Sequence, residues 1–258
     1  MAPDLAVTSK ELVDELEHKI LSGKYTVGEM LPSERRLSEA YSVSRSGVRE
    51  ALKILGERGL VTVRHGRGTF VTDPNAGAAG AAIGNALRRE RITARDVIIG
   101  RMAVEKESAA LAAEARTDAD LELLDRIIEG METSSAILDR VRADLAFHLA
   151  LVKASHNPVF EAMFRAISGF TAEMMLRSLS DRAVAEVGVP QHRAILEAVR
   201  QRDAGEARRL VEEHMAVAIE RYGPDLERSL DTVAERELQR VLGPTGSLED
   251  IWRVADRE

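Results

Sequence analysis

The residues DLAFHL at positions 144–149 place a carboxylate and an imidazole four positions apart. On a helix, Asp144 and His148 lie on one face, about one turn from each other. Most of the residues around them are apolar. Because isolated D-x-x-x-H spacings are common, one interpretation is an ion pair at the edge of a hydrophobic core. The other is half of a metal site, since imidazole nitrogen and carboxylate oxygen both bind divalent transition metals.

Two further histidines favour the metal site. Residues 191–215, QHRAILEAVRQRDAGEARRLVEEHM, predict two helices joined by a short turn, where His192 opens the first and His214 closes the second. If the two helices are antiparallel, both imidazoles point the same way, and Asp144 and His148 complete a set of histidines and one carboxylate. Such a set suits zinc, nickel, iron or manganese rather than calcium, and zinc is the expected ion. An ion with open positions can bind a small carboxylate or hydroxy acid.

The composition indicates a soluble globular protein of one or two domains. The chain has 258 residues, of which 45% are hydrophobic and 31% are charged, as in ordinary globular proteins. Cysteine is absent, which excludes disulfides and thiolate metal sites and suits a reducing compartment. Charged residues near the start exclude the apolar core of a signal peptide. The longest uncharged stretch, residues 74–87, is too short to span a membrane, so we expect a cytoplasmic protein.

The charge is unevenly distributed along the chain. Residues 30–72 contain eight basic and four acidic residues, a net charge of +4, so the remainder carries −11 of the total of −7. A basic segment in an acidic chain predicts a polyanionic partner for one domain only.

Residues 1–73 contain signals for three short helices and a hairpin. The capping-box signature TSKE begins the first helix at Thr8, and Gly23 ends it. LPSERRLSEAY predicts a second helix, with Ala40 among its inward-facing residues, and SRSGVREALKILGERG predicts a third. LVTVRHGRGTFV predicts a β-hairpin with its tip at residues 64–68. This order predicts a winged helix-turn-helix.

The third helix begins with residue types that read DNA. In a helix-turn-helix, the N-terminal residues of the second helix of the motif face base edges in the major groove. Arginines suit bidentate contact with guanine, and serine hydroxyls suit phosphate. The alternative is a solvated basic helix beside an unrelated turn. The candidate DNA contacts are Arg35, Ser44, Arg45, Ser46, Arg49, His65, Gly66 and Arg67.

The stretch LPSERRLSEAYSVSRSGVREALKILGERGLVTVRHGRGTFV resembles the DNA-binding domain of GntR-type bacterial transcription regulators, over about residues 9–72. The resemblance implies that Arg35, Arg45 and Arg49, with His65 and Gly66 at the wing tip, contact an operator. One departure is the glycine at position 47, where this family often has proline or threonine.

The remainder of the chain is predicted to be helical. Residues 74–84, rich in alanine and glycine, predict a linker. Residues 85–222 carry helix caps and no strand alternation, which predicts a bundle of six or seven helices. Residues 223–258 add two amphipathic stretches that we expect to cover an interface or the linker, with Trp252 as an anchor. The expected fold class is therefore mainly α, a winged helix-turn-helix joined to an all-α helical-bundle ligand-binding domain.

The stretches RMAVEKESAALAAEA and DLAFHLALVKASHNP and the segment around the last two histidines resemble the ligand-binding helical domain of FadR-like GntR regulators, over about residues 95–222. The resemblance implies that Arg101 anchors the carboxylate of an effector beside the metal and that Asn157 lines the pocket. Alternatively, Arg101 and Glu105 form a plain i, i+4 ion pair, and Asn157 is a helix cap. The metal ligands that the resemblance implies are Asp144, His148, His192 and His214.

These features predict a dimeric, effector-responsive transcription repressor and not an enzyme. Two recognition helices address the half-sites of a short inverted repeat, so that the symmetry of the homodimer matches that of the double-stranded operator. A small carboxylate or hydroxy acid bound at the metal would change the operator affinity. Two alternatives stay open: a metal-responsive regulator whose effector is the ion itself, and a metal-dependent hydrolase fused to a DNA-binding domain.

Overall fold

The computed structural model describes residues 8–64, 66–72, 83, 86–134 and 136–243. The chain divides into two compact units, Met1–Ala79 and Gly80–Glu258, and this division falls within the predicted linker. The predicted wing contact of His65, the predicted anchor Trp252 and nearly all of the linker at 74–84 lie outside the described residues.

The first unit has the predicted three helices and hairpin. Its elements are α1 (Ser9–Leu21), α2 (Glu34–Tyr41), α3 (Arg45–Glu57), β1 (Val61–Arg64) and β2 (Gly68–Val71). The two strands are antiparallel, with Val61 opposite Val71. The mainly helical fold and the winged helix-turn-helix are thereby confirmed.

The helices of the first unit begin at the residues that their local signals indicate. The Thr8 side chain accepts a hydrogen bond from the Glu11 backbone, and the Glu11 carboxylate accepts one from the Thr8 backbone, so the capping box forms. At the starts of α2 and α3, the hydroxyl oxygens of Ser33 and Ser44 each accept a backbone hydrogen bond and so cap these helices. Gly59 follows α3 with φ of 74°, a left-handed conformation that glycine adopts without steric cost.

The core of this unit collects one apolar face from each helix. Leu12, Leu16 and Leu37 are at most 1% exposed. Ala40 was predicted to face inward, but it is exposed. Helix α2 has only eight residues and ends directly after Ala40, at Tyr41. Leu37 is the one residue of this helix that is buried.

A segment before α2 adds to the wing. The backbone N–H groups of Gly28 and Leu31 donate to Val71 and Thr69, and the backbone N–H of Val71 donates to Glu29, at 2.8–3.0 Å. These bonds cover the free edge of β2, which would otherwise be open to pairing with another chain. The hairpin therefore lies beside a third extended segment, which the sequence patterns did not indicate.

The second unit is all-helical. Its elements are α4 (Ala94–Ala115), α5 (Asp118–Thr133), α6 (Ile137–Lys153), α7 (Pro158–Leu179), α8 (Arg182–Arg200), α9 (Ala204–Tyr222), a 3-10 turn (Gly223–Asp225) and α10 (Leu230–Leu242). The six helices from α4 to α9 match the predicted bundle. Helix α4 packs along α9, which packs along α8, and α6 packs against α5 and α7. No helix in this described part is long and apolar enough to cross a membrane.

Helix α8 begins earlier than the sequence pattern predicted. The sequence pattern predicts that His192 opens this helix. In the structure the helix continues through Pro190 from Arg182, so His192 lies in its middle. His214 likewise lies inside α9 rather than at its end. Because α8 and α9 are antiparallel across a short turn, residues at similar distances from the turn still meet, as the sequence argument required.

The first part of the C-terminal extension belongs to the core of the second unit. Leu226, Leu230, Val233 and Leu238 are at most 6% exposed and lie in one apolar cluster with the bundle helices. Helix α10 packs on α7. The prediction that this segment is helical is correct for α10, which completes the bundle; that the segment covers an interface or the linker stays a prediction.

Candidate metal centre and nucleic-acid interface

Three histidines from three helices meet inside the second unit. His148 lies on α6, His192 on α8 and His214 on α9. One ring nitrogen of each lies within 4.8 Å of the others, and the ring centroids are 4.8–5.3 Å apart. We call these residues the histidine cluster. Two nitrogens bound to one ion lie at most about 4.2 Å apart, because each metal–nitrogen bond is about 2.0–2.1 Å long, so small shifts of the rings would let them hold one ion.

Asp144 lies beside the histidine cluster. Its Oδ1 is 3.4 Å from Nε2 of His192, and on α6 it precedes His148 by one turn. Burial raises the pKa of Asp144, while the charges of His148 and Arg101 act to lower it. The structure thus brings the three predicted histidines together, with the predicted ligand Asp144 close to one of them.

Donor nitrogens of two cluster histidines, His148 and His192, are buried and lack hydrogen-bond partners among the described residues. His148 and His192 are each 1% exposed. Neither Nε2 of His148 nor either ring nitrogen of His192 makes a hydrogen bond to a described residue. Buried polar atoms are nearly always paired, so these nitrogens fit the role of metal ligands.

Two histidines of the cluster, His192 and His214, have the protonation state that metal binding requires. Burial, together with the charges of His148 and Arg101, lowers the pKa of His214 to about 3. Burial is likewise the first cause that lowers the pKa of His192 well below its ordinary value. Both imidazoles are therefore neutral at neutral pH, and the neutral form is the one that binds metal.

Two histidines are fixed through their other ring nitrogen. Nδ1 of His148 is 2.5 Å from Oε2 of Glu105, and Nδ1 of His214 is 2.9 Å from Oε1 of Gln191. In both cases the arrangement leaves Nε2 for a metal. Hydrogen bonds of this kind orient the ligands in protein metal sites.

Arg101 and Glu105 form an ion pair in the interior of the bundle. Nε of Arg101 is 2.6 Å from Oε1 of Glu105, and the side chains are 2% and 0% exposed. Burial would raise the pKa of Glu105, but Arg101 and His148 outweigh it and lower that pKa to about 2. The i, i+4 spacing was visible in the sequence. The contact of Glu105 with His148 was not, because it joins α4 to α6.

Asn157 caps helix α7. Its side-chain oxygen accepts hydrogen bonds from the backbone N–H groups of Val159 and Phe160. No described hydrogen bond joins Asn157 to the histidine cluster, so its role toward an effector remains a prediction. The neighbouring His156 is half exposed and pairs with Asp120 through Nε2 at 3.0 Å.

The N-terminal turn of α3 presents exposed polar groups. The Ser44 hydroxyl accepts a hydrogen bond from the Gly47 backbone and lies 3.0 Å from the Ser46 hydroxyl. Arg45 is exposed. Arg49 is 71% exposed, and its Nε donates to Glu34 at 2.8 Å. This surface can approach a nucleic-acid groove with its side chains free to rearrange.

Two further parts of the predicted DNA surface are exposed on the same unit. Nη1 of Arg35 donates to Glu39 on the exposed side of α2, at 2.8 Å. At the wing tip the Arg67 backbone donates to the Arg64 carbonyl, and Gly66 has φ of 72°. These values define the tight turn that was predicted at residues 64–68.

Comparison with known proteins places both units in one kind of protein. Residues 8–71 match the family model described as "Bacterial regulatory proteins, gntR family", and residues 96–217 match the FCD domain. The "Glc operon transcriptional activator" of Escherichia coli (strain K12) is 31% identical over 222 residues, which cover 79% of this chain and 84% of that protein. The "HTH-type transcriptional repressor NanR" of Citrobacter rodentium is 32% identical over 218 residues, which cover 80% of this chain and 82% of that protein.

A solved structure, "Streptococcus agalactiae GntR", superposes with a TM-score of 0.66 at 26% identity and covers 83% of this chain and all of that one. The sequence matches, the winged helix-turn-helix and the helical unit with its buried histidine cluster all lead to one conclusion. The chain belongs to the GntR family of bacterial regulators, in the branch that carries an FCD domain, and it is a DNA-binding transcription regulator with an effector-binding domain.

Proposed function

We propose that this regulator represses its target genes as a homodimer bound to a short inverted repeat, and that a small carboxylate or hydroxy acid releases it. The effector would bind at a divalent metal ion in the FCD domain. The observation that carries this proposal is the histidine cluster, in which three imidazoles converge and the buried nitrogens of His148 and His192 have no hydrogen-bond partner among the described residues. Zinc is the proposed ion, with nickel, manganese and iron as alternatives, because nitrogen and oxygen donors without thiolate suit all of these ions.

The proposed ligands are Nε2 of His148 and of His214, one ring nitrogen of His192 and the carboxylate of Asp144. When bound, the ion supplies positive charge and open coordination positions for a carboxylate or hydroxyl oxygen. The protein supplies rigid ligands in an apolar surrounding. One wall is the Phe147 ring, whose centroid lies 4.3 Å from that of His192.

We also propose that Arg101 takes part in effector binding. Its guanidinium is paired with Glu105, and Glu105 contacts Nδ1 of His148, so only one side chain separates Arg101 from the histidine cluster. A carboxylate bound beside the metal would therefore feel this positive charge.

The repressing role follows the NanR relative, whose name includes repression, whereas the E. coli relative is named an activator. A transcriptional reporter that carries the operator of this protein tests whether the protein represses or activates. Higher reporter output after deletion of the regulator gene supports repression, and lower output contradicts it.

The effector proposal is tested by a thermal-shift screen of small mono- and dicarboxylic acids and hydroxy acids, with zinc-loaded and chelated protein. A ligand at a hundred times its dissociation constant stabilises the protein that binds it by about 2.7 kcal/mol, which is several degrees of melting temperature. We expect a hit that disappears on chelation and in H192A. The variant H18A, which changes an exposed histidine of the first unit, should retain it.

Two outcomes would contradict the proposal. A hit that persists unchanged in the chelated protein and in H192A would place the effector away from the metal. A melting temperature that falls on chelation, with no acid causing a shift, would mean that the ion itself is the signal or a structural element.

A further inference from the structure

Glu105 uses its two carboxylate oxygens for two different partners inside the bundle. Oε1 accepts a hydrogen bond from Nε of Arg101 at 2.6 Å, and Oε2 lies 2.5 Å from Nδ1 of His148. The side chain is 0% exposed. Nε2 on the far side of the His148 ring has no described hydrogen-bond partner. The three side chains therefore form a chain of contacts from a guanidinium through a carboxylate to an imidazole whose Nε2 has no described partner.

We propose that Glu105 is a positioning residue for the metal, which orients His148 and keeps its lone pair on Nε2, while Arg101 holds the Glu105 carboxylate in place. This inference rests on the proposed metal site. The physical reason is that an imidazole which donates Nδ1–H to a carboxylate has a fixed tautomer and ring orientation and is a more basic ligand.

Folding stability alone does not account for this arrangement. A buried ion pair contributes little net stability, because removing two charges from water costs about as much as their attraction returns. Helix α4 also forms an exposed ion pair. Its Glu107 pairs with Arg208 of α9 at 2.8 Å, and both side chains are more than 40% exposed. The Arg101–Glu105 pair differs because it is buried and because Glu105 also contacts the His148 ring of the histidine cluster.

The two fixed histidines also differ in their partners. His148 faces an ionised carboxylate, whereas His214 faces the neutral amide of Gln191. A charged acceptor makes the stronger hydrogen bond. We therefore expect His148 to be the ligand whose orientation contributes most to metal affinity.

The experiment compares the zinc affinity of full-length variants by competition with a chromophoric chelator. E105Q keeps an acceptor for His148 but removes the charge, and it should weaken zinc binding about 10- to 100-fold, the range seen for such partners. The double variant R101M/E105Q removes both charges, so no unpaired charge stays buried, and it should show the same loss with an intact fold. The visible spectrum of the cobalt(II)-loaded variants should change as well.

The matched control is E173Q. Glu173 on α7 is also 0% exposed and ion-paired with an arginine, Arg88. Its replacement removes a buried carboxylate of the same kind, and zinc affinity should stay at the wild-type value. Melting temperatures of all the metal-free variants show whether a change in affinity follows a change in stability.

Each result has a defined meaning. Wild-type zinc affinity in E105Q and in R101M/E105Q would overturn this inference and leave the proposed metal site intact. An equal loss in E173Q would also overturn it, since the effect would then follow stability. Absence of zinc binding by the wild-type protein would overturn the proposed site and this inference together. One measurement needs no variant: nitrogen NMR of histidine in the metal-free wild-type protein should show His148 protonated at Nδ1, and protonation at Nε2 alone would overturn the inference.

Discussion

At the scale of single residues, the two candidate sites differ in how firmly the protein holds their side chains. Two histidines of the cluster, His148 and His214, are fixed by Glu105 and Gln191. The arginines of the DNA surface are exposed, and Arg35 and Arg49 are held only by surface carboxylates. Ion pairs of that kind contribute about 0–1 kcal/mol, so DNA can displace them. The metal site is therefore preorganised and the DNA surface is adaptable.

Replacing Arg45 should weaken operator binding more than releasing Arg49 from its intramolecular partner does. R45A should cost about 1–3 kcal/mol of binding free energy at one operator position, because a bidentate base contact is lost. E34Q frees Arg49 from its 2.8 Å ion pair, so operator affinity should stay equal or rise. Fluorescence anisotropy with labelled operator at fixed salt measures both. If R45A binds the operator as tightly as the wild type does, Arg45 does not contact a base.

Asp225 should make the helical unit sensitive to acid. Arg236 and Arg177, acting against burial, lower the pKa of Asp225 to about 2. A carboxyl group whose folded pKa is depressed stabilises the fold above its unfolded pKa of about 4, and this contribution is lost as the pH falls through about 2. D225N should therefore lower the free energy of unfolding by roughly 2 kcal/mol at pH 7 and by little at pH 2. Urea unfolding at both pH values measures this contribution. The control is D139N, because Asp139 is also ion-paired with an arginine but is exposed.

At the scale of secondary-structure elements, α3 and α10 differ in whether local signals or tertiary packing specify the helix. Helix α3 is specified locally, by the Ser44 cap and by Gly59 after its end. Helix α10 has no side-chain hydrogen bond at its N-cap, and its position depends on the apolar contacts of Leu230, Val233 and Leu238 with the bundle.

The glycine at position 47 is explained by the packing at the start of α3. A Cβ atom there would lie 2.8 Å from Cγ1 of Val43, whereas a Cβ at Gly56 would meet only a backbone oxygen, at 3.7 Å. G56A should gain up to about 1 kcal/mol from helix propensity. G47A should lose about 1 kcal/mol net, because the crowding outweighs that gain. Hydrogen exchange of α3 amides in the full-length protein measures both, and equal protection in the two variants would contradict the packing argument.

Helix α10 should contribute strongly to the stability of the helical unit. Leu230 is 0% exposed, and L230A should lower the free energy of unfolding by about 2–5 kcal/mol through lost burial and a cavity. Gln239 on the same helix is exposed, so Q239A should have little effect. Thermal unfolding measures both. Unchanged stability of a chain that ends at Tyr222 would show that the extension is dispensable.

At the scale of the whole molecule, two units with different charge share one chain. Residues 30–72 carry a net charge of +4 and the remainder carries −11. The basic segment contains the exposed recognition helix and wing, and the remainder contains the candidate metal centre. An acidic chain repels DNA except at this basic segment, which favours one mode of contact.

If effector and operator act on one conformational equilibrium, their effects on each other must be equal. An effector that weakens operator binding by a factor in the usual range of about 5 to 150 must itself bind the operator complex more weakly by the same factor. Calorimetric titration of the effector into free protein and into the operator complex measures the second factor. Unequal factors at equilibrium would contradict a direct coupling of the two sites.

The sequence by itself determined the elements and the residue types that each carries. Thr8, Ser44 and Asn157 cap helices through hydrogen bonds that span two or three residues, and such local bonds are visible in local sequence. The spacing of Asp144 and His148 fixed their common face in the same way. These features need only the geometry of one helix.

Only the tertiary structure decided the features that join distant elements. The contact of Glu105 with His148 spans 43 positions, and the course of α8 through Pro190 opposes the local signal. Packing of α10 into the bundle and the pairing of residues 28–31 with β2 likewise depend on segments far apart in the chain. The energy of such contacts comes from burial and from pairing between helices or strands, and a local pattern does not state which elements will meet.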